Sequence, residues 1–221
     1  MQIDKIVIGS TELYLAKAFY NGLLGFSVLD ETAAQLSVSI GRSVLCFQKQ
    51  DTPAFYHFAV LIPSNQIHQA LNWMATKREI LPFTEHNLIA DFKNWNAEAF
   101  YFHDQQQNIV EFIVHHDLEN RASMPFSADA VLGICELGIP VLSVPFACAH
   151  LNQHYGIPYY TKGPHLADFA VMGDEEGLLI LTTIGRGWLP TQRPAENHNW
   201  QLQLTHQDQL LHLNQVLFLE R

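Results

Sequence analysis

The sequence predicts an α+β fold of tandem βαβββ modules, whose curved mixed sheets carry helices on their outer faces. Three observations lead there. One order of signals recurs three times along the chain: a β-branched run, an amphipathic helical stripe, then short β-like runs. Hydrophobic residues make up 48% of the 221 and charged residues 15%, ample material for a core. No apolar run approaches the roughly 20 residues that a membrane span requires.

The first copy opens on the β-branched run 3–8. Leu13, Ala16, Phe19, Tyr20, Leu23 and Leu24 follow at helical spacing, and Gly25 closes that helix. Three short runs come next, 26–29, 35–40 and 43–48, the last two separated by the hairpin signal Gly41-Arg42. The second copy opens at 56–62 and takes Ser64 as a helix cap. Ile67, Ala70, Leu71 and Met74 lie on one stripe, and the copy closes with strands 98–103 and 108–114 around a polar turn at 104–107. Segment 79–96 is harder to assign. The third copy runs from 134–141 through a helix ending near Tyr155-Gly156 to strands 168–172 and 178–184.

These signals divide the chain into paired modules over 2–116, a Ser- and Pro-bearing linker over 117–133, a third module over 134–184 and a C-terminal β-hairpin extension over 185–221, built on the β-like runs 200–205 and 210–219. Copies one and two are expected to pair into a single cleft. The third copy then lacks an equal partner, which invites a homodimer, with the hairpin after Trp200 covering its edge.

Charge and cysteine usage narrow the function. Twelve Lys and Arg against 22 Asp and Glu give a formal net charge of -10, which repels a phosphate backbone, so nucleic acid is not an expected partner. Neither is a membrane, and with no targeting signal at the start the expected location is cytoplasmic. Cys46, Cys135 and Cys148 form no close pair, which excludes a disulfide framework or a paired-cysteine metal motif.

Side chains alternate across a strand, so His57, Ala59 and Leu61 share one face and Phe58 and Val60 the other. The same count puts Glu111, Ile113 and His115 together, opposite Val110, Phe112 and Val114. The apolar sets should meet the helices, leaving His57 and Glu111 on the concave side. His115 stands four residues from Glu111, about 13 Å along a strand, too far for one coordination sphere. With His116 it reads as a solvent-facing pair at a strand end.

The second copy carries the run Tyr56-His57-Phe58-Ala59-Val60. It closes on Phe100-Tyr101-Phe102-His103-Asp104 followed by Asn108-Ile109-Val110-Glu111, and Phe19-Tyr20 precedes Leu24-Gly25-Phe26 in the first copy. In these runs the chain resembles the vicinal oxygen chelate superfamily, the group of glyoxalases, bleomycin-resistance proteins and extradiol dioxygenases. The resemblance covers 2–116 well and 134–184 more weakly. It implies a divalent metal, Fe, Mn, Ni or Zn, held by His57 and Glu111, and a small oxygen-bearing substrate. Tyr101 sits where the dioxygenase signature has its Tyr, as a catalytic candidate. Lys5 and Cys46 occupy the places of the first copy's ligands and become substrate contacts, with His103 beside the turn as another candidate, although a histidine there is more often solvated. The turn has Gln105 and Gln107 where the family usually has Pro and Gly, so a non-glycine residue is expected to adopt a left-handed backbone there.

In the third copy Glu136 and Leu181 take the equivalent places, which provides no His and Glu pair and points to a structural or assembly role. Two functions stay open on this reading. One is a metal-dependent enzyme of lyase, isomerase or dioxygenase type. The other is a metal-free binding or sequestering protein in which Lys5 and Glu111 neutralise each other.

Overall fold

The computed structural model describes residues 1–218. The first module is built from β1 (Gln2–Ser10), α1 (Leu13–Lys17), which runs on into a π-helical turn at Ala18–Leu23, β2 (Val28–Glu31), β3 (Gln35–Ile40) and β4 (Ser43–Lys49). The second comprises β5 (His57–Leu61), α2 (Ile67–Ala75), β6 (Ile80–Leu81), β7 (Ala90–Phe92), β8 (Ala97–His103) and β9 (Ile109–His115). The third has β10 (Gly133–Val141), α3 (Val144–Tyr155), β11 (Phe169–Asp174) and β12 (Gly177–Thr183). A small flap, β13 (Gly187–Trp188) with β14 (Arg193–Pro194), leads to the C-terminal hairpin β15 (Trp200–His206) and β16 (Gln209–Asn214).

The modules pair differently from the sequence expectation. An eight-stranded sheet in the order β11-β12-β10-β5-β9-β8-β6, with β7 also paired to β8, joins copies two and three, while a six-stranded sheet in the order β16-β15-β1-β4-β3-β2 joins copy one to the hairpin. The junctions are alike. β10 runs antiparallel to β5, and β15 runs antiparallel to β1. The hairpin therefore occupies the position of a partner module's opening strand and does not cover the third copy's edge. Among the described residues no module is left without a partner, so the expected homodimer loses the physical reason offered for it. Pairing choice is invisible to periodicity, because every opening strand has the same apolar face to bury.

One continuous core lies behind both sheets. Ile6, Ile8 and Phe47 from the six-stranded sheet join Phe58, Val60, Phe112, Leu137 and Ile139 from the eight-stranded one, against Phe19, Met74 and Leu151 of the helical segments. Burying such side chains stabilises by roughly 1.5–3 kcal/mol each. Ser43 ties the sheets together: its Oγ donates to the Ile3 carbonyl at 2.7 Å and accepts from the Ile134 amide at 2.9 Å.

Segment 79–96 resolves into β6 and β7, both short, paired one after the other along β8. The following turn is held by Asp104, whose carboxylate accepts from the Gln106 and Asn108 amides, from the Asn108 side chain and from the Tyr20 hydroxyl at 2.9 Å. Gln107 adopts φ of 65°, the left-handed conformation expected at the place of a glycine. Strand β16 ends at Asn214, and Gln215–Phe218 form a 3-10 turn, so the expected final strand is shorter. Its last expected residue, Leu219, lies outside the described residues.

Candidate metal centre

The strand faces fall as alternation requires. Ala59, Leu61, Tyr101, Ile109 and Ile113 lie outside the main core, on the opposite face of the eight-stranded sheet from Phe58, Val60, Phe100 and Phe112. Parallel pairing of β5 with β9 sets Ala59 beside Glu111, one pleat from His57. The third copy's strand arrives with an irregularity: Ile134 pairs with Val60 and Glu136 with Ala59, so a bulge takes up Cys135. Ile134 and Leu137 both stay in the main core, while Glu136 is delivered to the cleft beside Glu111.

His57, Glu111 and Glu136 thus converge, each offering a ligand atom within 4.8 Å of the others. All three are buried, at 6%, 3% and 2% exposure, which makes any net charge among them costly. The His57 ring nitrogen Nδ1 lies 3.1 Å from the Ile109 carbonyl. A carbonyl only accepts, so Nδ1 carries the proton and Nε2 keeps its lone pair, 3.6 Å from a Glu111 oxygen. Burial lowers the His57 pKa to about 4, leaving the ring neutral at ordinary pH.

Burial also raises both carboxyls, Glu136 to about 8. For Glu111 the Glu136 charge is the next cause, opposed by the Tyr101 hydroxyl. Tyr101 is itself held protonated, by burial first and then by the two glutamates. Glu136 Oε1 is buried without a hydrogen-bond partner. Two close carboxylates with an orphaned oxygen and an imidazole lone pair form a set that a divalent cation would satisfy at once.

The donors lie in a cleft of about 640 Å³ whose walls include Phe92, Trp95, Phe169 and Trp188. Trp188 comes in on the flap and packs 4.9 Å from the His57 ring, centroid to centroid. It needs Gly138, where an added Cβ would come 2.7 Å from the indole and 3.2 Å from His57 Cβ.

Of the sequence-derived candidates, His57, Glu111 and Tyr101 meet in this cleft. Lys5 and Cys46 do not: they lie on β1 and β4 of the other sheet, because copy one pairs with the hairpin. Lys5 forms no ion pair among the described residues and does not neutralise Glu111, which lies on the other sheet. His103 ends β8 beyond Tyr101, with Nδ1 3.4 Å from the Asn108 carbonyl, and does not line the cleft.

Glu136, expected to be structural, joins the donors. Its expected companion Leu181 is in the core, and Ile180, which pairs with Gly138, faces the cleft instead. The one-residue difference reflects register, which a single strand does not reveal. His115 is not solvent-facing but fully buried, while His116 is exposed as expected, beside Glu98.

No family model and no curated protein matches the sequence. Solved structures do match. A candidate dioxygenase from Bacillus subtilis superposes with a TM-score of 0.61 at 13% identity, over 88% of this chain and 67% of that one. Glyoxalase I from Zea mays superposes with a TM-score of 0.56 at 15% identity, over 82% of this chain and 66% of that one. The chain therefore spans about two thirds of the length of each. At these identities the likeness is one of fold alone, shared with these dioxygenase and glyoxalase structures.

Proposed function

We propose that the chain is a divalent-metal-dependent enzyme acting on a small oxygen-bearing molecule, with His57, Glu111 and Glu136 as the metal-holding residues. The observation that carries this reading is the buried Glu136 carboxylate, set within 4.8 Å of His57 and Glu111 donor atoms and with one oxygen unpartnered. One imidazole and two carboxylates make a relatively hard donor set, suited to Fe(II) or Mn(II) and open to Ni(II) or Zn(II). A metal bound there would supply Lewis acidity toward substrate oxygens.

The remaining work falls to the chain's own side chains. His57, oriented by the Ile109 carbonyl, presents Nε2 as an acceptor. Tyr101, kept protonated, can donate a hydrogen bond to a substrate oxygen. Glu136, with a pKa pushed up to about 8, can take or return a proton at Oε1 near neutral pH. Trp188 covers the His57 side of the cleft and keeps bulk water from it. Lyase, isomerase and dioxygenase chemistries all draw on these parts.

The test is metal retention after loading purified protein with each of the four ions and removing excess by gel filtration. About one equivalent is expected for at least one ion, with roughly tenfold or greater loss of affinity in both H57A and E136Q. No retention of any ion, or retention unchanged in both variants, would sink the proposal.

A further inference from the structure

The cleft carries a cation whose hydrogen-bonding capacity the donor cluster does not use. Arg186 lies on the turn between β12 and β13, fixed by its amide donating to the Thr183 carbonyl and its own carbonyl accepting from Ala195. Its Nε approaches Asp168 at 3.3 Å, and its guanidinium lies over the Phe169 ring at 4.5 Å from the centroid. Stacking and the Nε contact hold the plane of the group. Both terminal amino groups are left without a hydrogen bond among the described residues, and the side chain, 36% exposed, is one of those lining the cleft. Lys162, the neighbouring cation, is occupied by Asp117 and Glu175.

Arg186 stands two residues before Trp188, at most about 7 Å along the chain, and Trp188 packs on His57. Arg186 and the donor cluster thus line one cavity. Between them the walls are aromatic, with Phe92, Trp95 and Phe169 flanking the space. A chain with net charge of -10 repels anions at long range, so a guanidinium held ready here selects for one at contact.

We propose that the cleft takes an aryl carboxylate, its ring among Phe92, Trp95 and Phe169 and its carboxylate on the Arg186 fork. This deepens the reading of the cleft as a substrate site and makes Arg186 its specificity-determining residue. Binding of the carboxylate end does not require a metal, so the two readings are tested apart.

The experiment is calorimetric titration of the full chain in chelator with 1-naphthylacetate and with its neutral isostere 1-naphthylacetamide. The acid should bind about tenfold or more tightly than the amide, as expected for a charge-assisted fork. R186Q should abolish that preference while leaving amide affinity and metal retention at the wild-type level. D168N, which removes the competing carboxylate and keeps the fork, should strengthen acid binding several-fold. Equal binding of acid and amide, no binding of either at millimolar concentration, or a preference that survives R186Q would overturn the proposal, whatever the metal content proves to be.

Discussion

Replacing Glu136 by Gln is expected to stabilise the metal-free protein, and to do so increasingly as pH rises. The carboxyl is 2% exposed, and burial raises its pKa from 4.5 to about 8. A group whose folded pKa lies above its unfolded value contributes stability that is complete below the unfolded value and is lost as pH climbs through the folded one. Within that window each pH unit is worth about 1.4 kcal/mol, so between pH 5.5 and 8 this group alone removes about 3 kcal/mol from the native state. Gln does not titrate. The Glu136 charge also raises the Glu111 carboxyl, so its removal relieves the partner in the same sense. The difference between E136Q and wild type should therefore widen by about 3 kcal/mol over that interval, read by urea unfolding with tryptophan fluorescence in chelator. Loading a divalent ion at about 100 times its wild-type dissociation constant should then stabilise wild type by about 2.7 kcal/mol and E136Q, binding tenfold or more weakly, by no more than about 1.4 kcal/mol. A stability difference that stays flat with pH, or a wild type more stable than E136Q at pH 8 in chelator, would refute the reasoning.

Three other substitutions probe the frame around the site. G138A places a Cβ 2.7 Å from the Trp188 indole, so it should cost about 1–3 kcal/mol by thermal unfolding and weaken metal retention by displacing Trp188 and His57. His115 is buried with neither ring nitrogen partnered, and burial lowers its pKa to about 4. The stability tied to its neutral form is present above about pH 6.5 and is lost as pH falls toward 4, so H115L should unfold at lower pH than wild type in an acid titration. Q107G relieves a left-handed backbone at φ of 65° and should raise stability by about 1 kcal/mol in urea, without altering metal retention.

Local patterns made much of this fold legible. The alternation in 56–62 and 108–114 placed His57 and Glu111 on one face, and the structure keeps them there, because a strand's two faces follow from the pleat alone. The Asp104 turn, with Gln107 in place of glycine, was equally local. What stayed hidden was long-range. Whether β5 finds β1 or β10 depends on which surfaces fit after collapse, and nothing in either strand records it. That single choice moved Lys5 and Cys46 away from the site and brought Glu136 into it. The bulge at Cys135 added a second concealment, since strict alternation cannot place the inward-facing residues of an irregular strand. The repeat alone puts Glu136 at the place equivalent to His57; only the pairing of β10 with β5 makes that place part of the site.

The two sheets also differ in what they can afford to bury. On the six-stranded sheet the equivalent places hold Lys5, half-buried, and Cys46, and the adjoining cavity of about 430 Å³ is lined by amides such as Gln48, Gln50, Asn199 and Gln201 with no carboxylate. The hairpin gives that sheet two strands where the third module gives the other three strands and a helix. An ammonium on such a partly solvated face loses little hydration and needs no partner. On the eight-stranded sheet, the flap bearing Trp188 and the aromatic walls lower the local dielectric, so each interaction there is stronger and each uncompensated charge more costly. Two carboxylates persist in such a place only with a proton or a cation between them. The same burial that makes Glu111 and Glu136 costly without an ion makes them effective ligands with one, whereas the half-buried Lys5 keeps enough hydration to stand without a partner.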